Sequence, residues 1–300
     1  MRSPSTESAS TGSSFRSPAL DRDALAERRR RHFRHVPARR VRSERGALAF
    51  VEDVGICSTF YVFAEGLACL WEAVVGRANP RWPRRSHHDA GIGLAWALKD
   101  RLPGGRHVYY GKLLKGRPVL VALDVLPAFY ALVRGGQRAR SYVAEYEAGR
   151  LSLTARRLMD SLMRESPQYT RSLRAEAFML EPGKTREFER AMAELQRALF
   201  IVKTEERYEP SFSYRWDLLE RWLPGPVAKG RRLSRERALD QLLGRYLRGA
   251  VFSSPALLSR LFSVPRAEVD SAVARLVQRG AVSSPVAIAG RPGRWVVSAG

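Results

Sequence analysis

The stretch LSRERALDQLLGRYLRGAVFSSPALLSRLFSVPRAEVDSAVARLVQRGAVSSPVAIAGRPGRWVV, Leu233 to Val297, decides the fold. Ser234 can cap a helix, because its hydroxyl accepts from an orphan N–H of the first turn. Ala238, Leu239, Leu242, Leu243, Tyr246 and Leu247 then recur at helical spacing, and Gly249 ends the run. Ser254-Pro255 opens a second, short helix, with Pro255 at its first position. Pro265 opens a third, with Val269, Ala272, Val273 and Leu276 on one face and Gly280 after its end. The apolar runs Val286–Ile288 and Trp295–Val297 flank Ala289-Gly-Arg-Pro-Gly-Arg294, a turn carrying Arg291 and Arg294. Three helices followed by a basic hairpin is the order of a winged helix-turn-helix unit.

The same order recurs upstream, which marks an internal repeat. Ser152 starts a helix, a second spans 170–179, and Gly183 precedes a third with Phe188, Met192, Leu195 and Leu199 on one face. Phe200–Lys203 and Phe212–Trp216 then alternate as a hairpin. A looser copy spans 43–124. Its helices are expected at 47–60, 67–75 and 90–100, followed by a hairpin whose strands, His107–Leu114 and Pro118–Leu123, are joined by Lys115-Gly116-Arg117. The expected architecture is α+β and mostly α: three tandem winged helix-turn-helix units in a C-shaped arrangement. The first unit with its connecting helices covers 43–149, the second 150–223 and the third 224–300. Residues 1–42 are assigned to a disordered basic arm: the first twenty are Ser, Thr, Pro and Gly with too little apolar surface to offset ordering, and Asp21 to His35 contains DALAERRRRHFRH, a helix start running into a basic block that is either an arm gripping phosphates or a solvated tail.

The 300 residues carry 52 Lys+Arg against 30 Asp+Glu, a net charge of +22. That excess points to a polyanionic partner, with double-stranded DNA the first candidate. It is uneven: +7 over 1–45, +4 over 46–149, +2 over 150–223 and +9 over 224–300. Two cysteines, Cys57 and Cys69, exclude a disulfide framework and a four-cysteine zinc site. No run is long and apolar enough for a membrane span, and the first residues lack the apolar core of a secretory signal. A cytoplasmic, nucleoid-associated monomer with no membrane partner is therefore expected.

In a helix-turn-helix unit the third helix enters the major groove, and flanking elements hold phosphates. The exposed faces of those helices offer Lys184, Arg186 and Arg190 in the middle unit, and Arg266, Arg275 and Arg279 in the last. Lys112, Lys115 and Arg117 on the first hairpin, and Arg291 and Arg294 on the last, complete the candidate DNA contacts. The two hairpin tips are the better phosphate grips, because two cations share a narrow turn. Chemistry-bearing motifs are sparse. No Gly-rich phosphate loop is present. His87-His88-Asp89 lacks the further ligands a metal needs, so neither metal nor cofactor is expected. Glu52-Asp53, in the otherwise apolar ALAFVEDVGIC, is either one solvent-facing acid and one local hydrogen-bond acceptor, or a carboxylate facing a cleft where it orients water or stabilises a sugar cation.

The phrases FVEDVGICSTF, LACLWEAVVG, HVYYGKLLKGRPVLVALDVLP and REFERAMAELQRALFIVK make the chain look like the AlkZ/YcaQ-like family, and more like its shorter relatives. The resemblance covers 43–300, most closely 43–125 and 150–282. It implies a tandem winged-helix DNA glycosylase of interstrand-crosslink and alkylation repair, with a basic concave channel for duplex DNA. It also implies a Gln-apolar-Gln or Gln-apolar-Asp motif that positions the hydrolytic water. The matching stretch is Val51-Glu52-Asp53. Asp53 stands for the final Asp, but Val51 occupies the Gln position and Glu52 the apolar one. A shift by one residue puts Glu52 at the Gln position and loses the Asp. Valine cannot hydrogen-bond a water, so the candidate catalytic residues reduce to Asp53 and Glu52. Three functions follow as alternatives: double-stranded DNA binding in repair or regulation without catalysis, a glycosylase excising alkylated or crosslinked purines, and a protein-interaction scaffold.

Overall fold

The computed structural model describes residues 19–300, and the disorder expected of residues 1–20 falls almost wholly outside them. Over 19–42 the expected disordered arm gives way to ordered chain. Leu20 lies beside Ile288 as an added bridge on the last sheet. Asp21 then caps helix α1 (Arg22–His32). Leu25 anchors α1 in an apolar cluster with Phe252, Ile288 and Trp295. The Arg29 guanidinium lies 3.6 Å over the Phe252 ring and donates to Ala250 O at 2.7 Å. One apolar contact and one desolvated guanidinium are what the basic composition concealed.

The first unit holds α2 (Glu44–Val54), β1 (Ile56–Ser58), β2 (Ala68–Cys69), α3 (Leu70–Val75), α4 (Ala90–Gly104), β3 (Val108–Leu114) and β4 (Arg117–Ala122). The helix expected over 47–60 stops at Val54. Gly55 turns into the left-handed region (φ 76°), and Ile56–Ser58 pair antiparallel with β4. Ala68–Cys69 pair parallel with β1 before α3 begins, which shortens the helix expected from 67. The turn joining β3 to β4 places Lys115 (φ 51°) and Gly116 (φ 68°) between paired Leu114 and Arg117. Both central residues at positive φ give the twist a two-residue hairpin needs.

Helices α5 (Leu126–Arg134) and α6 (Tyr142–Glu147) lead into the second unit. It consists of α7 (Leu153–Arg164), β5 (Gln168–Tyr169), α8 (Thr170–Glu176), α9 (Thr185–Arg197), β6 (Ile201–Arg207) and β7 (Ser213–Leu218). Then α10 (Leu219–Trp222) and α11 (Pro224–Arg231) lead to α12 (Arg235–Ala250), β8 (Phe252–Ser253), α13 (Pro255–Phe262), α14 (Arg266–Gln278), β9 (Val282–Ile288) and β10 (Arg291–Ser298). Ser152, Ser234 and Ser254 each accept from the backbone N–H three residues on. In all three units a short strand before the second helix pairs with the second strand of the hairpin, giving sheet orders β2-β1-β4-β3, β5-β7-β6 and β8-β10-β9. The chain is thus α+β and mostly α. Among the described residues no helix is long and apolar enough to cross a membrane.

The cores are not distributed one per unit. Phe50, Tyr109 and Tyr130 share a single cluster with Leu239, Leu243 and Val269, so the first and third units are one body inside. The second unit closes a core of its own around Leu158, Leu173, Phe188, Leu195 and Trp216. Two glycines allow the joint between the first and third units. A Cβ on Gly249 would stand 2.8 Å from the Val54 backbone at the end of α2, and one on Gly230 would stand 2.8 Å from Pro127 O. The second unit is tied to the first by an ionic quartet. Lys99 Nζ is 2.7 Å from Glu206 Oε1 and 2.5 Å from Asp100 Oδ1, and Lys203 pairs with the same two acids. Burial pushes the Glu206 carboxyl up, but its hydrogen bonds to Lys203 and Lys99 and their charges outweigh that and hold it at about 2.

Four outcomes for stability rest on these contacts. Gly249→Ala, forced against backbone, should cost about 1–3 kcal/mol in urea unfolding. Gly93→Ala on the open face of α4, with nothing within 4 Å of the added Cβ, should instead stabilise by about 0.5–1 kcal/mol. Because the Glu206 carboxyl is depressed in the folded state, the unfolded chain binds more protons below 4.5. Stability should therefore be full above that pH and fall as pH drops from 4.5 towards 2. Glu206→Gln should lower the neutral-pH urea midpoint and flatten that decline.

Candidate nucleic-acid interface

Asp53 lies at the C-terminal end of α2, where a carboxylate meets the negative end of the helix dipole. Cations offset the conflict. Arg34 Nη2 is 2.5 Å from Asp53 Oδ2. Arg245, on α12, donates from Nη1 to Asp53 O at 3.0 Å and from Nε to Asp124 Oδ2 at 2.9 Å. These groups line a cleft of about 560 Å³ between α1, α2 and α12, to which Arg28, Arg31, Arg39 and Arg248 also contribute. Burial, and then the charge of Arg28, hold the His32 imidazole below its ordinary range. Six arginines line the cleft with three carboxylates, and although Glu27 also holds Arg31, cations stay in excess and the cleft can take further negative charge. Glu52 is exposed beside Asp53 and has no ion-pair partner among the described residues. Val51 is fully buried in the core. At the position where the resemblance puts a water-holding amide, the chain has a packing residue.

The candidate cations divide by whether acids already hold them. On α14, Arg266 Nε is 2.8 Å from Asp270 Oδ1 and Arg275 Nη2 is 2.7 Å from Asp240 Oδ1, and just past its end Arg279 Nη2 is 2.9 Å from Asp240 Oδ2. Asp240 comes from α12 and is itself buried. All three expected groove contacts of the last unit are thus engaged within the chain. On α9, Lys184 pairs loosely with Glu187 at 3.6 Å, while Arg186 and Arg190 are exposed with no ion-pair partner among the described residues.

The two hairpins differ more than their sequences suggest. The tip of the first presents exposed Lys115 and Arg117, with Lys112 half-buried on β3. The last turn is only Ala289-Gly290, and the strand resumes at Arg291. Arg291 turns inward: Nη1 is 2.6 Å from Glu65 Oε1, and the guanidinium lies 5.1 Å from the Phe252 and Trp295 rings. The expected pair of cations at one tip is therefore a single exposed cation, Arg294, beyond a break in the ladder register. Stacking on two aromatic faces holds Arg291 more firmly than solvent does.

Other motifs resolve into structure. Asp89 caps α4 by accepting from Ile92 N at 2.8 Å. Among the described residues no group of three or more His, Cys, Asp or Glu could hold a metal. Cys57 and Cys69 are buried on the adjacent strands β1 and β2, and burial raises the Cys69 thiol to about 11. The arginines around Asp53 escaped sequence reading. The run RRRRHFRH is open to two readings, an arm gripping phosphates or a solvated tail, and nothing along the sequence ties it to Asp53.

The profile of a family described as AlkZ related matches residues 41–263. The fold is similar to that of Streptomyces sahachiroi DNA glycosylase AlkZ, with a TM-score of 0.58 at 10% sequence identity, covering 94% of this chain and 70% of that one. No curated protein matches the chain in sequence. At 10% identity the structural likeness speaks for the fold alone. The profile runs unbroken from α2 through the second unit into the third, and the chain belongs to the AlkZ-related family.

Proposed function

We propose that the chain binds duplex DNA through three winged-helix units arranged as a C, and that it does so without cleaving the glycosidic bond. The observation that carries this reading is the Asp53 cleft, where six arginines surround a carboxylate already paired with Arg34. Such a cleft takes phosphate oxygens, which bring the negative charge its cations lack. Membership of the AlkZ-related family and the fold of a DNA glycosylase support a DNA partner and a repair context. Lys115 and Arg117 on the first hairpin, with Arg186 and Arg190 on α9, extend the grip. Because Arg266, Arg275 and Arg279 are held by acids, the contacts are chiefly to the backbone and carry little sequence information. A cytoplasmic, nucleoid-associated monomer is the setting that fits this role.

Hydrolysis of an N-glycosidic bond needs a positioned water and a carboxylate to stabilise the sugar cation. Val51 cannot hold the water, and the Asp53 charge is spent on Arg34. One observation favours the second reading, a glycosylase for alkylated or crosslinked purines: Asp53 does face a basic cleft, where a DNA strand would bring a sugar within its reach.

Duplex affinity measured across salt concentrations should fall linearly on a log–log plot, with a slope of about −0.9 for each phosphate contacted. Replacing both Lys115 and Arg117 by Ala should reduce the steepness by about 1 to 2. Salt-independent binding would sink the DNA reading. On N7-alkylated duplex the protein should leave no abasic sites, and Asp53→Ala, which removes an acid from among cations, should bind duplex at least as tightly. Abasic sites that vanish in Asp53→Ala would instead establish the glycosylase.

A further inference from the structure

Between the first and second units lies a cavity of about 610 Å³, on the other side of β1 from the Asp53 cleft in sequence order and sharing no lining residue with it. Its composition is unlike that of a phosphate grip. Trp96, on α4, is 47% exposed although it is a large aromatic side chain. Phe60 packs beside it with ring centroids 4.9 Å apart, and Lys99 Nζ lies 4.6 Å from its ring centroid. At the mouth, Tyr61 is 62% exposed and stacks on Trp82 with centroids 5.3 Å apart and planes 23° from parallel. Helix α9 lines the cavity too, with Glu189 and Gln196 among its polar groups; the Gln196 amide nitrogen donates to Met192 O at 3.2 Å, which leaves its oxygen for an occupant. Lys112 and Arg117 reach the cavity from the hairpin, and neither has an acid partner among the described residues. Arg117 is steadied 5.6 Å from the Phe63 ring.

Exposed aromatic rings cost solvation free energy unless something covers them, and clustered ones mark a binding surface. The occupant must supply a flat π-face for Trp96 and Tyr61, edge groups for Glu189 and Gln196, and negative charge for Lys112 and Arg117. A nucleobase carrying its phosphates meets all three demands. A base inside a duplex has both faces covered by its neighbours, so only an unpaired base can stack on a side chain. We infer that this cavity receives one unpaired nucleobase of a DNA strand, stacked on Trp96 and Tyr61, with the adjoining phosphates on Lys112 and Arg117. The inference rests on the DNA-binding reading above and adds to it a preference for DNA interrupted by an unpaired nucleotide.

The test compares two duplexes of equal length by fluorescence anisotropy, one fully paired and one with a single unpaired thymidine. Wild-type protein should bind the interrupted duplex about tenfold more tightly. Trp96→Ala and Tyr61→Ala should each erode that preference while leaving paired-duplex affinity within about twofold, and Trp96→Phe should retain most of it. Both side chains are exposed, and an unchanged melting temperature would show that the variants fold. Free dAMP in large excess should not displace the interrupted duplex. Equal affinity for the two duplexes, a preference that survives both alanine variants, or a site saturated by free dAMP would each overturn the inference while leaving paired-duplex binding in place. Failure to bind either duplex would overturn the DNA reading itself and this inference with it.

Discussion

The architecture depends on the contact of Gly249 with the backbone of Val54. It lets the last turn of α12 lie directly on the end of α2, closer than any side chain would permit. That approach merges the cores of the first and third units and sets the reach of the rest of α12. Arg245 reaches Asp53 O and Asp124, and Tyr246 donates to Gly66 O at 2.8 Å. The basic cleft is a by-product of this joint: α12 brings Arg245 and Arg248, α1 and the chain after it bring Arg28, Arg31, Arg34 and Arg39, α2 brings Glu52 and Asp53, and Asp124 comes from just after β4.

A chain with net charge +22 must manage its own repulsion. Acids are placed where the third helices would otherwise be most basic. Asp240, buried in the shared body, holds both Arg275 and Arg279, and Asp270 holds Arg266. Among the candidate contacts, those with no acid partner among the described residues are Lys112, Lys115 and Arg117 on the first hairpin, Arg186 and Arg190 on α9, and Arg294 on the last hairpin. On the DNA-binding reading proposed above, arginines already engaged by acids leave little for reading bases, and the open cations suit contacts to a backbone.

Much of the fold was legible because it is written locally. Ser caps, apolar residues at helical spacing and turn glycines locate α7, α12, α13 and α14 within a residue or two. The misses share a cause, since each depends on a distant partner. Ile56–Ser58 read as the tail of a helix because their strand partner, β4, lies more than sixty residues on. The helix start at α1 is visible in the sequence, but its docking is not, because the rings that hold Leu25 and Arg29 come from the other end of the chain. Arg291 read as a free tip because Glu65 is remote in sequence. The candidate site was legible only as a suspicious pair of acids. Neither the arginines around Asp53 nor the rings around Trp96 form a pattern along one element, since both sites are assembled from several.

Sharing one core between the first and third units makes the second unit an insertion in a body whose halves are sequentially far apart. The fully buried residues of its own core lie within 151–216, joined by Tyr142, Tyr146 and Leu218 at its edge, and can close soon after that stretch leaves the ribosome, while Leu199 and Val202 pack into the larger body. The larger body must wait for α12 and α14, because Phe50 and Tyr109 pack in a cluster completed by Leu239, Leu243 and Val269. During synthesis the apolar faces of α2 and α5 are therefore exposed for more than a hundred residues of elongation. The long-range closure that finally covers them is the slow kind, dominated by contacts between distant parts of the chain.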